Sequence, residues 1–213
     1  TVNYTSSNCL SGQCIVGASN ANALTLPAGV VNVSGSWGIK FRIYGTTSGA
    51  AQGIFAIGDG TLLQVRLAST GQIAYVWNGT QGIYGANLMD STLHVISIAY
   101  NGTAVVLKID NSTIDTTTRA AISPGSATAT LGYDFGGVGM PSTSKLDHFS
   151  IWNNSTFDAS STAETGTASG LRALYDLDGN GNDSKALPVS AGTLTACVGL
   201  CMTAATNGTS PYS

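Results

Sequence analysis

Alternation of apolar side chains with a period of two residues is the feature that most constrains how this chain can fold. It is clearest in 93–100 and 104–110, two apolar runs separated by Asn101-Gly102. Asn-Gly is a favoured two-residue turn, because both residues tolerate the positive φ angles that join twisted antiparallel strands. The sequence therefore predicts a β-hairpin over 93–110.

The same alternation recurs along the middle of the chain. In one strand candidate, Ile39, Phe41 and Ile43 alternate with Lys40, Arg42 and Tyr44. The remaining candidates are 53–57, 63–67, 72–77, 127–133 and 146–152. Glycine-rich turns separate these short runs, as is typical of sandwiches. We therefore predict an all-β fold, an antiparallel two-sheet sandwich, with one short helix near 168–175 on which Leu171, Leu174 and Tyr175 share a face.

Composition agrees with one sheet-rich domain. The 213 residues include 27 glycines, 43 % are hydrophobic and only 9 % are charged. We expect a single domain, 1–213, in which a cysteine-bearing segment (1–21) precedes the sandwich (22–175) and a loop and tail (176–213) follow it. The net charge of −3 and the lack of a basic run argue against nucleic acid as a partner. No apolar stretch reaches the roughly 20 residues of a membrane span.

Nine Asn-X-Ser/Thr triplets predict a glycosylated, exported protein. Their asparagines are Asn3, Asn32, Asn78, Asn101, Asn111, Asn153, Asn154, Asn182 and Asn207. Such triplets accept oligosaccharide in accessible loops of secreted proteins, although Thr-rich turns also produce them by chance. The chain begins at Thr1 without Met, which favours removal of a signal peptide. We expect a secreted or extracellular-surface location.

The four cysteines lie near the two ends of the sequence, as Cys9, Cys14, Cys197 and Cys201. Four thiols allow three pairings, and the sequence does not choose among them. Their spacing, with only two histidines in the chain, does not resemble a zinc site. Disulfides are the better interpretation, and they imply an oxidising compartment.

Four segments in order resemble the laminin-G-like family of concanavalin-A-like jelly rolls. The segments are 22–44, 53–59, 88–110 and 146–152, the last followed by Leu174-Tyr175. The third looks like the signature hairpin of the family, and His94 occupies its histidine position. The resemblance implies that the antiparallel two-sheet sandwich over 22–175 is a jelly roll of the concanavalin-A-like kind. It does not imply one function, because this fold serves lectins, glycanases, adhesion modules and assembly proteins.

Catalysis is not expected. Glycanases on this scaffold need paired carboxylates, but the chain has one glutamate, Glu164, in a Ser/Thr-rich stretch. A Ser-His-Asp triad would have to use His94 or His148. Asp147 precedes His148 directly, and adjacent strand residues face opposite sides of a sheet. A half-buried role at the end of the hairpin is the better interpretation of His94.

Two groups of residues are candidates for ligand binding. Asp176, Asp178, Asn180 and Asp183 resemble the first half of a calcium loop, but Leu187 stands where the loop needs a bidentate glutamate. The group is therefore either a Ca²⁺ site completed from elsewhere or a polar turn. Tyr75, Trp77 and Tyr84 either stack on sugars at a rim of the sandwich or pack in its interior.

Two functions remain. In the first, the chain is a non-enzymatic extracellular subunit that assembles into filaments or a virion or cell surface. Segment 186–205, or segment 1–17, would then add an edge strand to a neighbouring copy. Such head-to-tail contacts do not close on themselves. In the alternative, the chain is a carbohydrate-binding, lectin-like adhesion module with a glycan ligand.

Overall fold

The computed structural model describes residues 3–5, 9, 14–18, 21–134, 136–157, 169–175 and 177. Regular structure in these residues consists of β-strands. In chain order they are β1 (Tyr4–Thr5), β2 (Cys14–Val16), β3 (Leu24–Leu26), β4 (Trp37–Tyr44), β5 (Gln52–Ile57), β6 (Leu63–Leu67), β7 (Ile73–Trp77), β8 (Thr80–Tyr84), β9 (Leu93–Tyr100), β10 (Ala104–Ile109), β11 (Ser112–Thr118), β12 (Ala129–Leu131), β13 (Lys145–Trp152) and β14 (Leu171–Tyr175).

The strands form two antiparallel sheets. The large sheet has the order β1-β2-β13-β4-β9-β10-β11, and β14 pairs with β13. The small sheet has the order β3-β12-β5-β6-β7-β8. Neighbours such as β13 and β4 are far apart in sequence, as expected when a jelly roll alternates between its sheets. The predicted two-sheet sandwich is confirmed, and so is the hairpin over 93–110, in which β9 pairs with β10.

The core lies between the sheets and is built by the predicted alternation. Ile39, Phe41 and Ile43 of β4 are fully buried there. Phe149 of β13 connects the two layers, because its ring centroid lies 6.2 Å from that of Phe41 in its own sheet and 4.8 Å from that of Phe55 in the small sheet. Aromatic pairs at these distances add to the stabilisation that burial provides.

A β-bulge in β13 sets which side chains face this core. Leu146 pairs with Ile43 and Ile151 pairs with Ile39, but the register shifts between Asp147 and Ser150. His148, at φ +50°, lies within the shift. Bulges place one extra residue in a strand and so change which residues share a face. Here the bulge lets Leu146, Phe149 and Ile151 all pack inward.

The helix expected near 168–175 is wrong, because Leu171–Tyr175 is strand β14, paired with β13. Ala173 and Tyr175 join the main core, whereas Leu171 and Leu174 pack with Trp152 on the opposite face of the large sheet. Both faces of β14 are therefore apolar. That removes the alternation by which a strand is recognised and leaves spacing that also fits a helix.

Strand β4 is also covered on both faces, although its alternation of apolar residues with charged and polar ones predicts one exposed face. Lys40 and Arg42 face away from the core, yet each is only 1 % exposed. Other residues therefore cover this face of the strand as well.

The described N-terminal residues belong to the large sheet. Val16 and Ile15 of β2 pair with Lys145 and Leu146 of β13. A disulfide joins Cys9 to Cys14, one of the three pairings left open by the sequence; Cys197 and Cys201 lie outside the described residues. The described part of the chain contains no helix of the length and apolar character needed to cross a membrane.

The contact of Phe149 with both sheets predicts a large loss of stability on its removal. Phe149→Ala should lower the free energy of unfolding by about 3–5 kcal/mol, since it removes a fully buried ring and leaves a cavity. Ile83→Ala is the matched control, because Ile83 is 49 % exposed and should change stability by less than about 0.5 kcal/mol. Urea unfolding followed by tryptophan fluorescence measures both. Equal losses would contradict the packing described.

Candidate functional site

A groove of about 270 Å³ lies on the outer face of the large sheet. Its floor consists of side chains of β9 and β10 that point away from the core: Ser97, Ala99, Val106 and Lys108. Ala99 pairs with Val106, and Ser97 with Lys108. The inward residues between them, such as Ile98 and Leu107, are buried. The floor is therefore the reverse side of a packed core.

One wall of the groove comes from the segment that follows β13. Phe157 stacks on Trp152, with centroids 5.1 Å apart and planes 14° apart. A Cβ at Gly38 would lie 2.3 Å from the Phe157 ring, so this approach to β4 requires glycine. Ser155 and Thr156 add hydroxyl groups to the wall, and Asn101 lies at the end of the groove. Phe157 is thus fixed by its stack and by the small residue below it.

The groove combines an apolar surface with a few polar groups. Ala99, Val106 and Phe157 supply the apolar part, whereas Ser97 and Lys108 supply a hydroxyl and an ammonium group. Its described lining contains no carboxylate. Ligand sites in proteins typically show this composition, and the groove is slightly smaller than their usual volume of about 300–1,000 Å³. The chemistry suits a ligand with one apolar face and several hydroxyl groups.

The sequence alone does not reveal this groove. Its floor residues are the outward-facing residues of the hairpin over 93–110. No feature of the neighbouring sequence distinguishes them from residues on an ordinary solvent-exposed face of a sheet. Phe157 is the only aromatic residue among the described residues that line the groove, and it lies in an irregular segment. Its position over Gly38 depends on tertiary structure. Small outward residues at Ser97 and Ala99 were the one available signal.

The expected sugar-stacking group is corrected by the structure. Tyr75 and Trp77 are each 1 % exposed, because both face the core from β7. The Trp77 centroid lies 5.5 Å from that of Trp37, and the Nε1–H of Trp77 donates to the carbonyl of Ala120. Tyr84 is half-buried and stacks on Tyr75 at 5.0 Å. These rings close one side of the sandwich and do not form a platform for sugars.

The remaining predicted sites fall into two groups. Asp176, Asp178, Asn180 and Asp183, the calcium candidates, lie outside the described residues, as do Asn182 and Asn207. Six acceptor asparagines within the described residues are exposed, and Asn154 is half-buried. The six are Asn3, Asn32, Asn78, Asn101, Asn111 and Asn153. Their glycosylation stays a prediction.

A second polar group surrounds His94 at the opposite end of β9 from Asn101. The Nδ1 atom of His94 lies 2.7 Å from Asp110 Oδ2, and its Nε2 atom lies 3.1 Å from both carboxylate oxygens of Asp90. Asp110 Oδ1 also accepts from the backbone N–H of Val95 at 2.9 Å. The group ties the loop before β9 to the turn after β10. This is the structural role predicted for His94.

The two carboxylates favour the charged form of this imidazole. Burial alone would lower the pKa of His94, but hydrogen bonds to Asp110 and Asp90, and their negative charges, outweigh burial and raise it above the usual 6.5. Ionised carboxylates only accept hydrogen bonds, so the doubly protonated ring can donate to both.

Comparison with known proteins places the fold among β-sandwiches. No protein family matches this chain in sequence, and no curated protein is significantly similar to it. Among solved structures, a sialidase from Trypanosoma rangeli matches with a TM-score of 0.53 and 9 % identity, over 74 % of this chain and 28 % of the sialidase.

Two further structures are similar in fold. One, from Bacteroides ovatus, is described as a carbohydrate-binding protein; it has a TM-score of 0.57 and 11 % identity, over 74 % of this chain and 49 % of its own. The other is domain 4 of an extracellular arabinanase from Geobacillus stearothermophilus in complex with arabinotriose, with a TM-score of 0.54 and 14 % identity. That match covers 71 % of this chain and 74 % of that one. At these identities the likeness shows the fold alone. The chain spans less than half the length of the first two proteins.

The raised pKa of His94 predicts a pH-dependent stability. The pKa of His94 is higher in the folded state than in the unfolded state. Its contribution to the free energy of unfolding is therefore fully present below pH 6.5. This contribution is lost as the pH rises through the folded-state pKa. The free energy of unfolding should therefore fall as the pH rises above 6.5, and His94→Gln should remove this part of the dependence. Urea unfolding at several pH values measures it. Asp59→Asn is the control, since the lowered pKa of Asp59 acts only in acid. An unchanged profile in His94→Gln would contradict the assignment.

Proposed function

We propose that this chain is a carbohydrate-binding module and that the groove on the outer face of the large sheet holds the sugar. The observation that carries the proposal is the juxtaposition of Phe157 with Ser97 and Lys108 across a floor of small side chains. Sugar rings present C–H groups on their faces and hydroxyl groups at their edges. An aromatic wall contacts the first, and hydrogen-bonding groups contact the second.

The structural comparisons support this proposal at the level of fold. A Bacteroides ovatus protein described as carbohydrate-binding and an arabinanase domain bound to arabinotriose share the sandwich. For this chain, the groove itself supports sugar binding. Because Lys108 is the only charged residue among the described lining, neutral glycans, or glycans with an acidic group near Lys108, fit best.

We infer further that binding is not coupled to catalysis. The two carboxylates that glycoside hydrolysis usually requires are not found among the described lining of the groove. Asp90 and Asp110, the carboxylates paired through His94, bond directly to its ring nitrogens. Asp90 and Asp110 therefore have a structural role as partners of His94.

We propose in addition that the protein is secreted and that it belongs to the laminin-G-like family. The Cys9–Cys14 disulfide supports an oxidising compartment. The order of the matched segments supports the family, and His94 at the position of the signature histidine closes the hairpin as described above.

Assembly into filaments is a separate hypothesis and stays a prediction. Its C-terminal form depends on segment 186–205, which lies outside the described residues. For the N-terminal form, the described parts of 1–17 that form strands pair within the same chain: Tyr4 with Ile15 in β1 and β2, and Val16 with Lys145 in β13. Donation of this segment to a neighbour would have to replace these pairings.

The groove predicts that filling its floor removes sugar binding. Ala99→Phe should weaken binding at least tenfold, which is about 1.4 kcal/mol, because the new ring occupies the space above β9. The matched control is Val76→Phe, which adds a ring to the outer face of the small sheet. A glycan array identifies the ligand, and titration calorimetry with that glycan compares the variants.

A second variant protects the test against misfolding. Lys108→Met keeps most of the apolar stem and removes the ammonium group, so the sheet should remain intact while affinity falls. Thermal unfolding of each variant checks this. No binding on the array would contradict the proposed function, and binding that survives both Ala99→Phe and Lys108→Met would exclude the groove.

A further inference from the structure

Five acceptor asparagines of the described chain lie at one end of the sandwich, which we call the acceptor pole. The pole is the end at which β7, β9 and β13 finish. The Trp77 centroid lies 5.5 Å from that of Tyr100, which brings the ends of β7 and β9 together. Asn78 and Asn101 begin the turns that follow these two strands, and the overlapping pair Asn153-Asn154 follows β13.

Asn32 belongs to the same pole through a contact between loops. The guanidinium of Arg172, in β14, donates to the carbonyls of Val30 and Gly29 at 2.6 and 2.9 Å. This holds the loop that carries Asn32 against the end of the large sheet. Of the other acceptors in the described residues, Asn111 follows β10 at the opposite end of the sandwich. Asn3 lies beside β2, where its backbone carbonyl accepts a hydrogen bond from the N–H of Val16 at 3.0 Å.

The turn at Asn101 is compatible with a modified side chain. Its Oδ1 atom accepts from the backbone N–H groups of Thr103 and Ala104 at 3.0 and 2.8 Å. N-linked sugar is attached through Nδ2, so the amide oxygen remains a carbonyl and both hydrogen bonds can persist. Asn78 is likewise exposed in a two-residue turn.

The overlapping asparagines differ in their surroundings. Asn153 is exposed, and its backbone N–H donates to the carbonyl of Gly170 at 2.7 Å. Asn154 is half-buried, with Oδ1 enclosed. Its Nδ2 atom lies 1.9 Å from where a Cβ on Gly170 would be, and it contacts the carbonyl of Ser169 at 3.4 Å. A sugar on Asn154 would have to displace this packing.

We propose that the acceptor pole carries N-linked glycans on Asn78, Asn101 and Asn153, and that Asn154 is left unmodified. The donor is an oligosaccharide linked to a lipid phosphate, used by a transferase of the secretory route. A bond forms between Nδ2 and C1 of the first sugar while the bond from C1 to the phosphate oxygen breaks. The Nδ2 proton leaves, and the lipid phosphate takes the electron pair of the broken bond. The proposal does not rest on the sugar-binding function of the groove, although Asn101 also lies at the end of that groove.

Two single substitutions separate the overlapping sites. Ser155→Ala removes the triplet of Asn153 and keeps that of Asn154, whereas Thr156→Ala does the reverse. Protein is isolated from the cells that make it, and each variant is expressed in the same cells. Fragmentation of intact glycopeptides then locates the sugars, and the intact mass counts them.

We expect sugar at Asn78, Asn101 and Asn153 in the unaltered chain. Ser155→Ala should lose one glycan, and Thr156→Ala should keep the full number. Bare Asn78 and Asn101 in the unaltered chain would overturn the acceptor pole. Sugar on Asn154, or loss of a glycan in Thr156→Ala, would overturn the choice between the overlapping sites.

Discussion

The architecture depends on the position of Phe149, which one extra residue in β13 determines. Without the bulge at His148, the side chains on one side of it would change faces, because a shift of one residue inverts the alternation of a strand. Leu146 and Ile151 could then not both face the core with Phe149 between them. The bulge places His148, which is not a glycine, at a positive φ angle. This backbone conformation is unfavourable, and the surrounding packing must stabilise it. Here that packing is the contact of Phe149 with Phe41 and Phe55.

The same register fixes the outer face on which the groove lies. Ser150 pairs with Lys40, Lys40 with Ser97, and Ser97 with Lys108, so one row of outward polar residues crosses four strands. Each of them alternates with a core residue and therefore cannot move without disturbing the interior. A binding surface built in this way is preorganised, which limits the conformational entropy lost when a ligand binds. Phe157, although outside the strands, is fixed by its stack on Trp152.

The burial of each strand determines how well the sequence predicts it. The sequence predicts the ends of central strands such as β9 and β10 to within one residue. It does so because one face of each strand is apolar and the other carries both polar and apolar residues. The edge strands β8 and β11 were missed, since Thr80–Tyr84 and Ser112–Thr118 are polar and mostly exposed. Strand β14 was mistaken for helix because both its faces are buried. Trp77 was ambiguous, since aromatic residues suit both cores and binding surfaces. The groove itself requires Phe157 to meet Gly38, a contact between residues over a hundred positions apart.

The edges of the sheets bear on the strand-exchange hypothesis. Strands β8 and β11 lie on the same side of the sandwich, where the hydroxyl group of Tyr75 donates to Asp115 Oδ2 at 3.1 Å. Asp115 points inward from an edge strand, and the pairing of β10 with β11 shifts register next to Leu107. Inward charges and bulges both hinder the addition of another strand. This side of the sandwich is therefore a poor acceptor. An incoming strand would meet fewer such obstacles at the other side, where β1, β2 and β14 border β13 and where the described residues nearest both ends of the chain are found.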